Sequence, residues 1–362
     1  MLRIFVQQAS CHLRKRYLIS PTRFPARLLS SHPLSVKPRT RKWTLPIAGG
    51  LFVGVASLYL FLPDTSRRAP TTSKKPLSAR HFTPVTVISN EDSGPNTKIL
   101  KLKVSPHLIP KDGEDPIGFG PIWSVYIKDD DIQVERPYTP LESIDEDGNM
   151  VFWIKRYPKG EVGRWLHSKR PGDTIELRGP LKTWPWKDEE WDEIVLISGG
   201  TGITPFYQLV RQVFEQPKLY SQKTKFTLIH GSRTPEELPP EQILAPLFDY
   251  AEKLPERFRL KLFVDADDGS KPPLPVTPLE IGRVSDEHMK HIMGVPEPTR
   301  WQKWFGSKDS RPIIHQRTLF LVCGPEPMIA SVAGPYGRNY SQGPTSGILG
   351  KLGITPKQVL KL

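Results

Sequence analysis

The stretch EIVLISGGTGITPFYQLVRQVF, residues 193–214, most constrains the fold. Its apolar start, EIVLIS, is too short for a helix and reads as a buried strand. Gly199, Gly200 and Gly202 follow at once. Thr204 and Pro205 then read as an N-cap and a proline in the first helical turn, ahead of the helical FYQLVRQVF. The pattern repeats downstream, where KFTLIHG precedes the helical PPEQILAPLFDYAEKL, and RFRLKLFVDA and RTLFLVCG supply further buried strands. Strands alternating with helices predict a parallel sheet covered on both faces, with ligands outside the carboxyl ends of its strands.

Before Trp191 the pattern differs. FTPVTVIS, TKILKLKV, IWSVYIK, MVFWIKRY and DTIELRG are short strands separated by Pro, Gly and Asp clusters, as in an antiparallel barrel or sandwich. The expected organisation is a barrel domain over 80–187 and an α/β domain over 188–362, preceded by a polar linker over 63–79.

The charge is concentrated at the N-terminus. The 362 residues carry a formal +13, but residues 1–42 hold ten Lys or Arg and no acid, leaving 41 basic and 38 acidic residues, a net of +3, in the remainder. A polyanion-binding surface on the folded part loses its support, so no nucleic-acid partner is expected. Residues 1–42 have the composition of a mitochondrial transit peptide, with a basic arm as the alternative. WTLPIAGGLFVGVASLYLFL, 43–62, is uncharged and would span roughly 30 Å as a helix, the length of one transmembrane segment. Basic residues flank it on both sides, so charge does not fix its orientation. The chain has two cysteines, Cys11 and Cys323, and its histidines are scattered without metal-ligand spacing, so no metal site is expected.

Two further motifs carry chemistry. In ERPYTPLES, 135–143, Arg136 and Thr139 each precede a proline and are pushed into extended backbone, which sets Arg136 and Tyr138 on one face of a stiff strand. Taken alone this is also the end of a surface strand. In LFLVCGPEPM, 319–328, a buried strand delivers Cys323 to the sheet edge and Gly324-Pro325 turns the chain over the cleft. The alternative for a lone cysteine is a structural thiol. The glycine turn, likewise, serves either packing or a pyrophosphate at a helix N-terminus.

RPYTPL, KGEVGRWL, GGTGITP and CGPEPM, in this order over residues 80–362, resemble the ferredoxin reductase-type FAD/NAD(P)H enzymes, NADH-cytochrome b5 reductases in particular. The resemblance implies an FAD-binding barrel and an NAD(P)-binding α/β domain. Arg136 would meet FAD phosphate, Tyr138 the isoalloxazine ring, and Thr139 its reactive edge. Gly160, Val162 and Gly163 would offer backbone to the FAD pyrophosphate with Lys155 nearby. Gly200, Thr201 and Gly202 would border the nicotinamide nucleotide, and Cys323, Gly324, Pro325 and Met328 would close over the nicotinamide. Thr139, Thr201 and Cys323 are thus the expected catalytic neighbours, Cys323 without covalent chemistry. Arg233, after the second strand of the α/β domain, would bind a 2′-phosphate or stand as a solvated loop arginine, which leaves NADH or NADPH open.

The chain departs from the family pattern at Gly163, where a serine is usual, in LKTWPWKDEEW after RGP, in an apparent insertion near 268–316 holding Trp301 and Trp304, and at a C-terminus without a terminal aromatic. Two functions are compatible with these features. One is a membrane-anchored mitochondrial reductase passing electrons to a haem protein, either cytochrome b5 or cytochrome c. The other, resembling a flavoprotein associated with haem attachment to cytochrome c, is an assembly factor that docks apocytochrome or the haem-attachment machinery on a reductase scaffold. The expected location is the mitochondrial inner membrane, with the folded domain in the intermembrane space.

Overall fold

The strict apolar alternation of Val85 and Val87 on one strand and Leu100 and Leu102 on the next gives each a face to bury, and these pair antiparallel as β1 (Thr83–Asp92) and β2 (Thr97–Lys103). The structure, a computed structural model, describes residues 69–362 apart from 110–118, 130–132, 186–189, 221, 277 and 294–316. Residues 1–42 and 43–62, read as transit peptide and membrane span, lie outside the described residues. Among those described, no helix is long and apolar enough to cross a membrane.

β3 (Ile122–Lys128), β4 (Glu135–Tyr138), β5 (Asn149–Lys155) and β6 (Thr174–Trp184) complete an antiparallel sheet in the order β4-β3-β6-β1-β2-β5. The expected barrel takes the form of this six-stranded sheet, with β4 and β5 outermost. Its inward residues, including Leu100, Trp123, Val125, Phe152 and Leu177, form one apolar core. Helix α1 (Glu161–Ser168) covers that core with Val162 and Leu166.

The second sheet is parallel throughout. β7 (Glu193–Gly199), β8 (Lys225–Ser232), β9 (Phe258–Val264), β10 (Leu279–Ile281), β11 (Thr318–Cys323) and β12 (Val359–Lys361) lie in the order β10-β9-β8-β7-β11-β12. Helices α2 (Thr204–Glu215), α3 (Glu241–Lys253), α4 (Asp286–Ile292), α5 (Glu326–Ala333) and α6 (Gly347–Lys351) punctuate it. The chain lays strands outward from β7 to β10, then returns to place β11 on the other side of β7, so the order reverses between β7 and β11. β10 and α4 fall inside 268–316, so the described part of that apparent insertion extends the sheet and its cover.

Pro70–Leu362 form one compact unit. Ile122, Leu141, Trp153 and Trp184 of the antiparallel half enter the same apolar cluster as Phe206, Tyr207, Leu209 and Val210 on α2. Buried Gln208 adds polar ties, accepting from the Trp123 amide (2.8 Å) and donating to the Pro140 carbonyl (3.0 Å).

Candidate active site

The reversal between β7 and β11 creates a crevice at their carboxyl ends, the position where open α/β sheets bind nucleotides. Cys323 pairs in register with Ser198, so the ends of GPEP and GGTG lie side by side. Gly200 has φ +53°, a left-handed conformation that glycine adopts freely. Gly202 is fixed by contact, since a Cβ there would collide with the carbonyl of Cys323 and lie 2.7 Å from the Gly324 Cα. A Cβ on Gly324 would in turn come within 2.7 Å of the Met328 sulfur. The glycines therefore let two strand ends and Met328 close on one another.

The helix here starts differently from the sequence expectation. Gly200–Ile203 wind as a 3₁₀ turn leading straight into α2, so Thr204 is inside the helix and not its N-cap. Its hydroxyl donates to the Thr201 carbonyl (3.1 Å). Thr201 sits half-exposed on the turn, hydrogen-bonded through its side chain to Tyr157.

A cleft of about 880 Å³ opens at this point. Lys155, Gly200, Arg233, Pro325 and Met328 line it, together with Tyr157 and Glu237, which the motifs did not single out. Cys323 is partly exposed at its strand end, and burial pushes its thiol up to about 12. It is a neutral thiol over the physiological range.

The Arg136–Thr139 motif stands on the opposite half. Arg136 and Pro137 are exposed and Tyr138 and Thr139 half-buried. β4 pairs with β3 so that Arg136 faces Ile127 and Tyr138 faces Val125 in register, which puts Arg136 and Tyr138 on one face. Glu135 is held by Arg178, whose Nε and Nη2 lie 2.8 and 2.6 Å from one carboxylate oxygen. Arg136 donates to the Glu135 carbonyl at 2.9 Å. Burial, offset in part by Arg136, holds the Tyr138 phenol protonated far above its ordinary range.

Gly160 is the N-cap of α1, with no side-chain cap on the helix. The first-turn amides of Glu161, Val162 and Gly163 thus have the geometry of an anion cradle. Val162 contributes only backbone, for its side chain is core. A Cβ on Gly163 would sit 3.1 Å from the Lys155 carbonyl, so glycine lets α1 lie close against β5. Lys155 forms an ion pair that no motif announced. Its ammonium lies 2.9 Å from Glu237 across the two halves, with both side chains about nine-tenths buried (9% and 10% exposed). Arg233 binds the same carboxylate, donating Nε to Oε2 (3.0 Å) and Nη2 to Oε1 (2.5 Å). Burial alone would raise Glu237, but the hydrogen bonds from Arg233 and Lys155 outweigh it and hold the carboxyl below its ordinary range.

An exposed arginine, an uncapped helix start flanked by glycines, and a half-buried tyrosine suit FAD. A glycine turn at a sheet reversal suits a nicotinamide dinucleotide. Comparison with known proteins agrees. Residues 84–186 match the oxidoreductase FAD-binding domain family and residues 196–334 the oxidoreductase NAD-binding domain family. A protein of Candida glabrata named NADH-cytochrome b5 reductase 2 is 34% identical over 63% of this chain and 67% of its own length. One of the same name from Scheffersomyces stipitis is 29% identical over 88% of this chain and 95% of its own length. The chain belongs to the cytochrome b5 reductase family of FAD- and NAD-binding oxidoreductases. The cytochrome b5 reductase domain of Ulva prolifera nitrate reductase shares the fold, with a TM-score of 0.54 and 18% identity over 79% of this chain and 99% of that one.

Proposed function

We infer that this oxidoreductase takes electrons from NADH and delivers them through FAD to a haem protein, cytochrome b5 being the first candidate. The observation that carries the reading is the junction of β7 and β11, which brings the glycine turn and Cys323 together in the same compact unit as the Arg136–Thr139 strand. The names of the relatives support NADH and cytochrome b5 in particular.

The division of labour follows from the chain's own groups. Arg136 and the first-turn amides of α1 bind phosphates, the former by a charge-assisted fork and the latter by dipole and N–H direction. Tyr138 and Thr139 orient the ring system from β4. Gly200 to Gly202 admit a dinucleotide to close backbone contact, and Cys323, Gly324 and Met328 shape the wall against which a nicotinamide rests. Bound FAD supplies the conversion of a hydride into single electrons that a haem can accept. Neutral Cys323 borders that wall without acquiring charge.

The basic, acid-free residues 1–42 and uncharged residues 43–62 support a mitochondrial inner-membrane anchor, with the catalytic unit in the intermembrane space. A tether makes the encounter with a membrane or intermembrane-space haem protein a local one, and near-neutral charge outside the leader leaves docking to a local patch. Stopped-flow mixing of the NADH-reduced protein with cytochrome b5, cytochrome c and free haem tests the acceptor. Fast, saturable reduction of cytochrome b5 is expected; preference for cytochrome c or free haem moves the protein to the haem-attachment pathway. Protease added to mitochondria with ruptured outer membranes should degrade the folded unit. Survival until the inner membrane is dissolved would place it in the matrix.

A further inference from the structure

Glu237 gathers two cations from opposite halves of the molecule. Lys155 reaches it from the end of β5, and Arg233 from the loop directly after β8. All three line the cleft. Arg233 is in the place where an arginine after the second strand of a nucleotide-binding sheet recruits a 2′-phosphate, and its side chain is 68% exposed. Its planar fork is nevertheless already spent on both oxygens of Glu237. Glu237 has little freedom to yield, being mostly buried and having its Oε2 held by Lys155 as well as by Arg233. A 2′-phosphate approaching Arg233 therefore meets a fixed carboxylate at contact range in a partly desolvated cleft, and the repulsion offsets what the guanidinium offers.

We propose that Glu237 is a specificity-determining residue: by holding Arg233 and Lys155 it makes the cleft accept a dinucleotide with an unphosphorylated ribose and disfavour one bearing a 2′-phosphate. The inference rests on the nicotinamide-nucleotide reading of the cleft. Its chemistry is charge pairing alone. Replacing the carboxylate by an isosteric amide frees the Arg233 fork while keeping an acceptor oxygen for Lys155, so a phosphorylated ribose gains a charge-assisted partner and an unphosphorylated one gains nothing.

The test is calorimetric binding of 5′-ADP and 2′,5′-ADP to the FAD-loaded full chain, which reads the site without turnover. The wild-type protein binds 5′-ADP more tightly than 2′,5′-ADP. Glu237→Gln tightens 2′,5′-ADP about tenfold, the scale of one charge-assisted contact, with 5′-ADP little changed. Glu237→Asp, which keeps the charge, shows no such gain, and Arg233→Ala added to Glu237→Gln removes it. A wild-type preference for 2′,5′-ADP overturns the proposal without recourse to any variant. So does an unchanged 2′,5′-ADP affinity in Glu237→Gln, an equal gain for both nucleotides, or a gain in Glu237→Asp. If neither nucleotide binds the wild-type protein, the nucleotide reading of the cleft fails first and this inference falls with it.

Discussion

In the antiparallel half the Arg136–Thr139 motif begins on an outermost strand, with Arg136 and Pro137 exposed. In the parallel half the nucleotide turn is so close to the neighbouring strand end that a single Cβ on Gly202 would overlap the Cys323 carbonyl. At Arg136 the site offers a side-chain donor, at Gly202 the absence of a side chain. Substitutions at these two points should accordingly separate: at the first they cost ligand affinity, at the second the fold of the site itself.

The sharpest break in that contrast is Gly202→Ala. Overpacking at a point wedged against backbone should destabilise the protein by about 3 kcal/mol and weaken 5′-ADP binding, as read by denaturant unfolding and calorimetry. An alanine variant of full stability would place the two turns farther apart than described. Arg136→Ala is the counterpart. It should weaken FAD binding by roughly tenfold, the loss of one charge-assisted phosphate contact, while the unfolding midpoint of the flavin-free protein stays put. Lysine should restore only part, lacking the planar fork. Equal FAD content in wild-type and alanine proteins would remove Arg136 from the site.

Fully buried His230 ties β8 to β7, with Nδ1 2.9 Å from the Ser198 hydroxyl and Nε2 3.1 Å from that of Ser232 on its own strand. Burial chiefly, and Lys155 secondarily, lower it to about 3. The unfolded chain takes up this proton below about pH 6.5 and the folded one does not, so its contribution is complete above that pH and is lost as pH falls. The stability difference between wild-type and His230→Asn proteins should shrink between about pH 6.5 and 4, with a limiting slope near 1.4 kcal/mol per pH unit. A pH-independent difference would mean that His230 binds its proton as readily in the folded state as in the unfolded one. The smallest effect expected is that of Cys323→Ser, a several-fold slower flavin reduction at unchanged FAD content. Because the thiol titrates only near 12, the wild-type rate should show no thiol ionisation between neutral and mildly alkaline pH. Unchanged kinetics would leave Cys323 a structural thiol.

Strands with clear periodicity are legible from their residues alone: VTVIS and ILKLKV alternate, EIVLIS carries an unbroken apolar run from Ile194 to Ile197, and each forms a strand of the expected sheet. β10 and β12 are not, because three residues carry no period. KGEVGRWL is legible as a motif but not as helix α1, whose Val162 serves the core by side chain and a ligand only by backbone. The family resemblance sets Lys155 near the FAD pyrophosphate and carries no sign that its ammonium also meets Glu237, 82 residues away. Pairings at such separation leave no local trace, and Glu237, Tyr157 and Gln208 go unmarked by any motif for the same reason. A carboxylate two residues after a proline in a loop has nothing in its own neighbourhood to show that it joins two halves.

The central claim is that the exposed β4 motif and the glycine turn serve one electron path. It is tested most directly by mixing the FAD-loaded protein with NADH under anaerobic conditions and following the visible absorbance of the flavin. Rapid, saturable bleaching is the predicted result, with the limiting rate lowered in Cys323→Ser and the flavin still bound. Bound flavin that stays oxidised in the presence of saturating NADH would contradict the account.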